Sequence, residues 1–249
     1  MRVGYDEAGD GPAVVLLHAG LLDRRMWAPQ WRPFTERHRT IRFDAPGFGD
    51  SDPPAAEYVL ADVLGGMLDA LEIESAALVG GSMGGKAAID YALGRPHRVW
   101  ALVAMAPGLS GFSFRAYSEE QDARGEAAWD ARDLTALADL WLEVWAPLGA
   151  DETLRRIAHD SAKTLALPEE VDPDQPAVGR LSELRAPTLV VSGAHDVEGI
   201  NDICRLLARE LPDARLEVFQ DSDHLPSYRE PERFNRLVLE FLEDQTGRR

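Results

Sequence analysis

Short apolar runs of three to seven residues, separated by stretches of helical period, constrain what this chain can fold into more than any other property of its sequence. Val14 to Leu17, Ile41 to Phe43, Ala76 to Val79, Val99 to Met105, Thr188 to Val191 and Leu216 to Phe219 are such runs. Their length, and the continuous apolarity of those at the centre of the list, suit strands covered on both faces. Between most of them lie helix-period segments, clearest at residues 58–73, 84–93 and 200–211. Strand and helix in alternation predict an α/β fold, a mostly parallel sheet flanked by helices on both sides.

The alternation stops after Pro107 and resumes at Thr188. Residues 108–187 carry helical signals but no strand signal, which predicts a helical cap, or lid, inserted into a core made of residues 1–107 and 188–249. Within it Leu134, Leu137, Leu140, Trp141, Val144 and Trp145 recur at helical spacing and end at Pro147, so one amphipathic helix is expected there. A Leu and Trp stripe is first of all core. Trp141 and Trp145 are also candidates for the wall of an apolar substrate pocket beneath the cap.

Bulk properties narrow the function. The formal charge of -17 and a pI near 4.7 repel polyanions, so neither nucleic acid nor an anionic membrane surface is an expected partner; a small-molecule substrate is. The single cysteine, Cys204, has no intramolecular partner and lies in an apolar helical pattern, which predicts a buried thiol. Met1 to Glu7 lacks the apolar region of a signal peptide, and no apolar run approaches the ~18 residues of a membrane span, so a cytoplasmic protein is expected. No cofactor and no metal is expected.

Gly80-Gly81-Ser82-Met83-Gly84 follows one apolar run directly and opens a helical segment. A serine at a sharp strand-to-helix turn has its hydroxyl thrust outward from the sheet edge, and the glycines allow the close backbone approach such a turn needs. The pattern alone is weak, since a chain of this composition carries it by chance about once in thirteen cases. Its partners decide. A serine nucleophile needs a base, and the base needs an acid to orient it. His224 follows the last predicted strand and Asp196 follows the one before it, on the loops where such sheets build their sites. The order Ser82, Asp196, His224 is that of nucleophile, acid and base in one sheet architecture. His195 also follows a strand and is the sharpest rival base, whereas His38, His97 and His159 have Arg-rich surroundings typical of surface histidines. Asp202, Asp221 and Asp223 are the alternative acids. The oxyanion needs two N–H donors: Met83 behind the nucleophile is one, and the loop His18-Ala19-Gly20-Leu21 offers the other at Gly20. His18 itself is expected to be a structural hydrogen bonder.

Five ordered segments resemble the α/β-hydrolase fold family over essentially the whole chain: His18-Ala-Gly20, Asp44-Ala-Pro-Gly-Phe-Gly-Asp-Ser51, Gly80 to Gly84, Gly193-Ala-His-Asp196 and the stretch from Asp223 to Phe234. The resemblance implies an eight-stranded, mostly parallel sheet, a cap between its sixth and seventh strands, and triad roles for Ser82, Asp196 and His224. Three departures carry expectations of their own. Ala19 replaces a common glycine, leaving Leu21 as the alternative donor to Gly20. Asp223 beside the histidine is placed to raise the pKa of His224. Lys86 stands where a small apolar residue is common, which suggests that the helix after the turn is less buried than usual.

The expected function is hydrolysis of an ester or lactone of a small, fairly apolar substrate through an acyl-enzyme. The alternatives on the same fold are a carbon–carbon bond hydrolase, a lyase and a ligand receptor without turnover. Gly80-x4-Gly85-Lys86 also matches part of a nucleotide-binding P-loop, but position 87 is Ala where Mg²⁺ binding wants Ser or Thr.

Overall fold

The computed structural model describes residues 1–247. Seven strands form one sheet in the order β1-β3-β2-β4-β5-β6-β7. They are β1 (Tyr5–Ala8), β2 (Ala13–Leu17), β3 (Arg39–Phe43), β4 (Ala76–Gly81), β5 (Val99–Met105), β6 (Thr188–Gly193) and β7 (Ala214–Phe219). All neighbours pair in parallel except β1, which runs antiparallel to β3. The described sheet therefore has one strand fewer than the resemblance implied, and the long insertion follows its fifth strand. β1 is the strand the sequence hides: Tyr-Asp-Glu-Ala has no apolar run, because an edge strand with half-exposed faces needs none.

The central strands are buried on both faces, every residue of β2, β4 and β6 included. Val15, Leu17, Leu78, Leu102 and Val190 point to one side, where α2 (Leu60–Ala70), α3 (Met83–Gly94) and α7 (Glu198–Glu210) cover them. Val14, Leu16, Val79, Val103 and Leu189 point to the other, against α1 (Ala28–Thr35) and α8 (Pro231–Thr246). Continuous apolar runs are what strands require when both faces are packed.

Between β5 and β6 lie α4 (Glu119–Asp130), α5 (Leu134–Trp145) and α6 (Glu152–Ser161). Each starts on a side-chain cap: the Ser118, Asp133 and Asp151 oxygens accept from backbone N–H groups of the first turn. Leu140 and Val144 of α5 are buried, as the stripe predicts. Among the described residues, no helix is long and apolar enough to cross a membrane.

Candidate functional site

The carboxyl ends of β4, β6 and β7 carry the residues singled out in the sequence, and hydrogen bonds between their loops bring them together. The Ala194 N–H donates to the Phe219 carbonyl and the His195 N–H to the Ser222 carbonyl, each at 2.9 Å, so the loop after β6 is tied to the loop after β7. Across that tie His224 Nδ1 lies 2.9 and 3.1 Å from the two carboxylate oxygens of Asp196. A carboxylate only accepts, so Nδ1 carries the proton and Nε2 presents its lone pair. Both side chains are buried, and Nε2 has no hydrogen-bond partner among the described residues. The rival groups lie elsewhere: His195 and Asp221 are exposed, and Asp202 is engaged by Arg205 on the surface of α7.

Ser82 sits between β4 and α3 with φ 50° and ψ -112°, a left-handed conformation that a non-glycine residue adopts only under constraint. The constraint is visible. The Ser82 N–H donates to the Met105 carbonyl, the Ser82 carbonyl accepts from Lys86 and Gly108, and the Gly84 N–H donates to the His18 carbonyl. A Cβ at Gly80 would lie 2.4 Å from the Gly84 carbonyl oxygen, and one at Gly84 would lie 2.5 Å from that of Leu17. Neither position admits a side chain. Ser82 occupies the N-cap position of α3 but its hydroxyl makes no capping bond, leaving it half-exposed and uncommitted.

Met83 begins α3, so its N–H has no acceptor within the helix. The loop after β2 comes against it: a Cβ built on Gly20 would lie 4.0 Å from Met83 Cβ. In that loop the Leu22 N–H donates to the Ala19 carbonyl and the Ala19 N–H faces Met26 Sδ. The Gly20 and Leu21 N–H groups have no acceptor among the described residues, and Leu21 itself has φ 52°. His18 is the structural hydrogen bonder expected: Nδ1 donates to the Ala19 carbonyl at 2.8 Å and Nε2 accepts from the Ala45 N–H at 2.9 Å. Burial lowers its pKa, in keeping with that neutral ring.

Packing gives Asp223 other partners and corrects two sequence expectations. Arg229 holds the Asp223 carboxylate at 2.6 to 3.1 Å while the Leu225 N–H donates to one of its oxygens. The helix behind Ser82 is not unusually exposed: every residue of α3 from Ala87 to Leu93 is buried, and Lys86 is drawn into an ion pair with Glu170 and Asp172. His38 is buried instead of lying on the surface, at 4% exposure, and burial lowers its pKa. Cys204 is buried as expected, with its thiol pKa pushed up by burial.

The insertion supplies a wall that the sequence only hinted at. The Trp145 ring lies 4.5 Å from the His224 ring, Phe114 packs edge-on to Trp145, and the Trp145 indole N–H donates to the Tyr117 hydroxyl. Tyr117, Leu140 and Trp141 continue into a cavity of about 200 Å³ that also touches Leu21 and Leu165. This hollow therefore abuts the loop holding the free N–H groups on one side and, through Tyr117, the tryptophan over His224 on the other. A larger hollow of about 440 Å³, bounded by Asp69, Glu72, Glu74 and Arg98, lies at the opposite ends of β4 and β5, away from these groups.

The chain matches the family model of the alpha/beta hydrolase fold over residues 12–231. It is 32% identical to the 2-hydroxy-6-oxo-6-phenylhexa-2,4-dienoate hydrolase of Burkholderia cepacia, over 97% of this chain and 91% of that one. It is 34% identical to the 2-hydroxy-6-oxononadienedioate/2-hydroxy-6-oxononatrienedioate hydrolase of Burkholderia vietnamiensis, again over 97% and 91%. Among solved structures, Est816, an N-acyl homoserine lactone degrading enzyme, superposes with a TM-score of 0.76 at 28% identity, covering 96% of each chain. The seven-stranded sheet, the constrained serine at its turn and these matches lead to one conclusion: the chain belongs to the alpha/beta hydrolase family, and it is a hydrolase.

Proposed function

We propose that this hydrolase works through an acyl-enzyme on Ser82. The observation that carries the proposal is the buried His224–Asp196 pair, whose open Nε2 belongs to the same cluster of strand-end loops as a strained serine with an uncommitted hydroxyl. Ser82 Oγ attacks a carbonyl carbon while His224 Nε2 takes its proton, and Asp196 stabilises the imidazolium that forms. The negative oxygen of the tetrahedral intermediate is held by the Met83 N–H and by that of Gly20 or Leu21, each donor being worth about 3 to 4 kcal/mol. The imidazolium then returns its proton to the leaving fragment, and water repeats the sequence on the acyl group.

The bond we assign first is a carbon–carbon bond next to a ketone, in place of the ester or lactone that the sequence suggested. The dienoate hydrolases that share about a third of its residues over nearly its full length support that reading. Their two substrates differ at the acyl end, one a phenyl ketone and the other carrying a second carboxylate. The cavity favours the first. Its walls are largely Leu, Trp and Tyr, it has no Lys or Arg, and its one acid, Asp122, is paired with Arg115. A cavity on the order of 150 Å³ holds a benzene ring, so about 200 Å³ accepts a phenyl or short alkyl acyl group. A carboxylate there would be desolvated without a partner.

The same largely apolar cavity favours a second reading, hydrolysis of an ester or lactone with an apolar acyl group, and the likeness to the lactone-degrading Est816 supports it. One experiment separates the two. Purified protein and its Ser82→Ala variant are given a 2-hydroxy-6-oxo-6-phenyl dienoate, 4-nitrophenyl butyrate and an acyl homoserine lactone. The first reading expects the highest kcat/KM on the dienoate, abolished in the variant. Preference for the ester or lactone replaces it with the second, and wild-type turnover in the Ser82→Ala variant overturns both.

A further inference from the structure

Four residues after the nucleophile, Lys86 makes contacts that the chemistry above does not use. Its side chain is only 16% exposed, and its Nζ donates to Glu170 Oε2 at 2.6 Å and to Asp172 Oδ1 at 2.8 Å. Both acids lie on the segment that returns from the insertion to β6, 84 and 86 residues away in sequence. Burial opposes the Lys86 charge, but the two carboxylates outweigh it and hold the lysine pKa above its ordinary value. The ammonium is therefore a fixed cation.

The return segment is in turn fastened to the start of the insertion. Asp172 Oδ2 accepts from the Gly111 N–H at 2.8 Å, the Ser110 hydroxyl accepts from the Ala177 N–H, and the Val178 N–H donates to the Ser110 carbonyl. On its far side the segment pairs with Tyr58, whose carbonyl accepts from the Val171 N–H. Residues 108–114 are thus held between α3 and the return segment. What they carry matters for the site. Gly108 donates its N–H to the Ser82 carbonyl, and Phe114 lies against Gly199, just beyond Asp196, and edge-on to Trp145, whose ring covers His224.

We propose that Lys86 is a positioning residue: by gripping Glu170 and Asp172 it seats residues 108–114 so that Phe114 and Trp145 form a fixed aromatic wall over His224. The assignment rests on the proposed role of His224 and goes beyond it, because it gives the function to a side chain that touches no reacting atom. It also has a specific kinetic consequence. The main-chain bonds from Lys86 and Gly108 to the Ser82 carbonyl survive any change of the Lys86 side chain, so the nucleophile keeps its geometry while the wall loosens. Binding should suffer and chemistry should not.

Lys86→Met keeps most of the length of the side chain without its charge, Lys86→Arg keeps the charge, and Asp172→Ala removes a half-exposed partner with little risk to folding. Using the substrate that wild type turns over best, Lys86→Met and Asp172→Ala should each raise KM about tenfold with kcat within about twofold, and Lys86→Arg should recover most of the loss. Amide exchange at residues 108–114 should quicken in Lys86→Met and Asp172→Ala, a readout that needs no turnover. A wild-type KM in Asp172→Ala, an equal fall in kcat, an arginine variant as impaired as methionine, or unchanged exchange overturns the proposal. Fluorophosphonate labelling of wild type but not of Ser82→Ala tests the nucleophile on its own, so failure of that reading is told apart from failure of this one.

Discussion

Asp90, two turns beyond Ser82 on α3, is the group whose removal has the most calculable effect. It is buried, and its Oδ1 accepts from the Ser110 hydroxyl. Burial pushes its pKa up from 3.8 to about 6, against the opposing pull of the Ser110 bond and of Lys86. The folded-state pKa lies above the unfolded one, so the folded form binds the proton more tightly. Stability that is whole below the unfolded pKa is lost as pH rises through about 6. The loss comes to roughly 2 kcal/mol at pH 5 and about 3 kcal/mol at pH 8. Asn has the same shape, bears no charge and can still accept from Ser110, so Asp90→Asn escapes this loss. An unpaired amide N–H₂ adds a penalty of about 1 to 3 kcal/mol, but one that does not change with pH. The measurement is therefore a slope: urea unfolding of both proteins at pH 5, 6, 7 and 8, followed by tryptophan fluorescence. The variant should gain on wild type by about 1 kcal/mol across that range, most of it by pH 7. A difference that stays flat or runs the other way refutes the reasoning.

Further outcomes follow from the site. Asp196→Asn should lower kcat by a factor on the order of 10⁴, since an amide can stabilise the wrong tautomer of His224, whereas Asp202→Asn, which loses one surface ion pair, should leave it within about twofold; steady-state kinetics rank the two. Gly84→Ala should abolish fluorophosphonate labelling of Ser82, because its Cβ would stand 2.5 Å from the Leu17 carbonyl oxygen and force the turn apart. Trp141→Ala should widen the cavity and move the acyl preference from short to longer chains, with the largest gain in kcat/KM on a hexanoyl or octanoyl ester. An unchanged chain-length profile would remove Trp141 from the pocket wall.

Much of this was legible in the linear chain because the relevant physics is local. A run such as Ala76 to Val79 has to be a strand buried on both faces, and glycines around a serine directly after it mark a turn where no Cβ fits. The loops after successive parallel strands gather at one sheet edge whatever their sequences, so Asp196 and His224 were legible as neighbours from their places after β6 and β7. β1 was not legible, because an edge strand paired on one side tolerates Asp and Glu. The burial of His38 was hidden for a related reason: its arginine neighbours along the chain do not reveal which residues pack around it in space.

By itself the sequence determined the class of fold, the strained serine and the strand ends at which its partners stand, since strand burial, turn sterics and chain order are encoded within a few residues of each other. Only the tertiary structure decided what faces the chemistry. Asp223 turns to Arg229, Lys86 reaches residues 84 and 86 positions away, and Trp145 lies on His224 across 79 residues of chain. Such contacts form when α3, the insertion and the last loop are packed together. Their partners are chosen by proximity in space, and no periodicity along the chain records it.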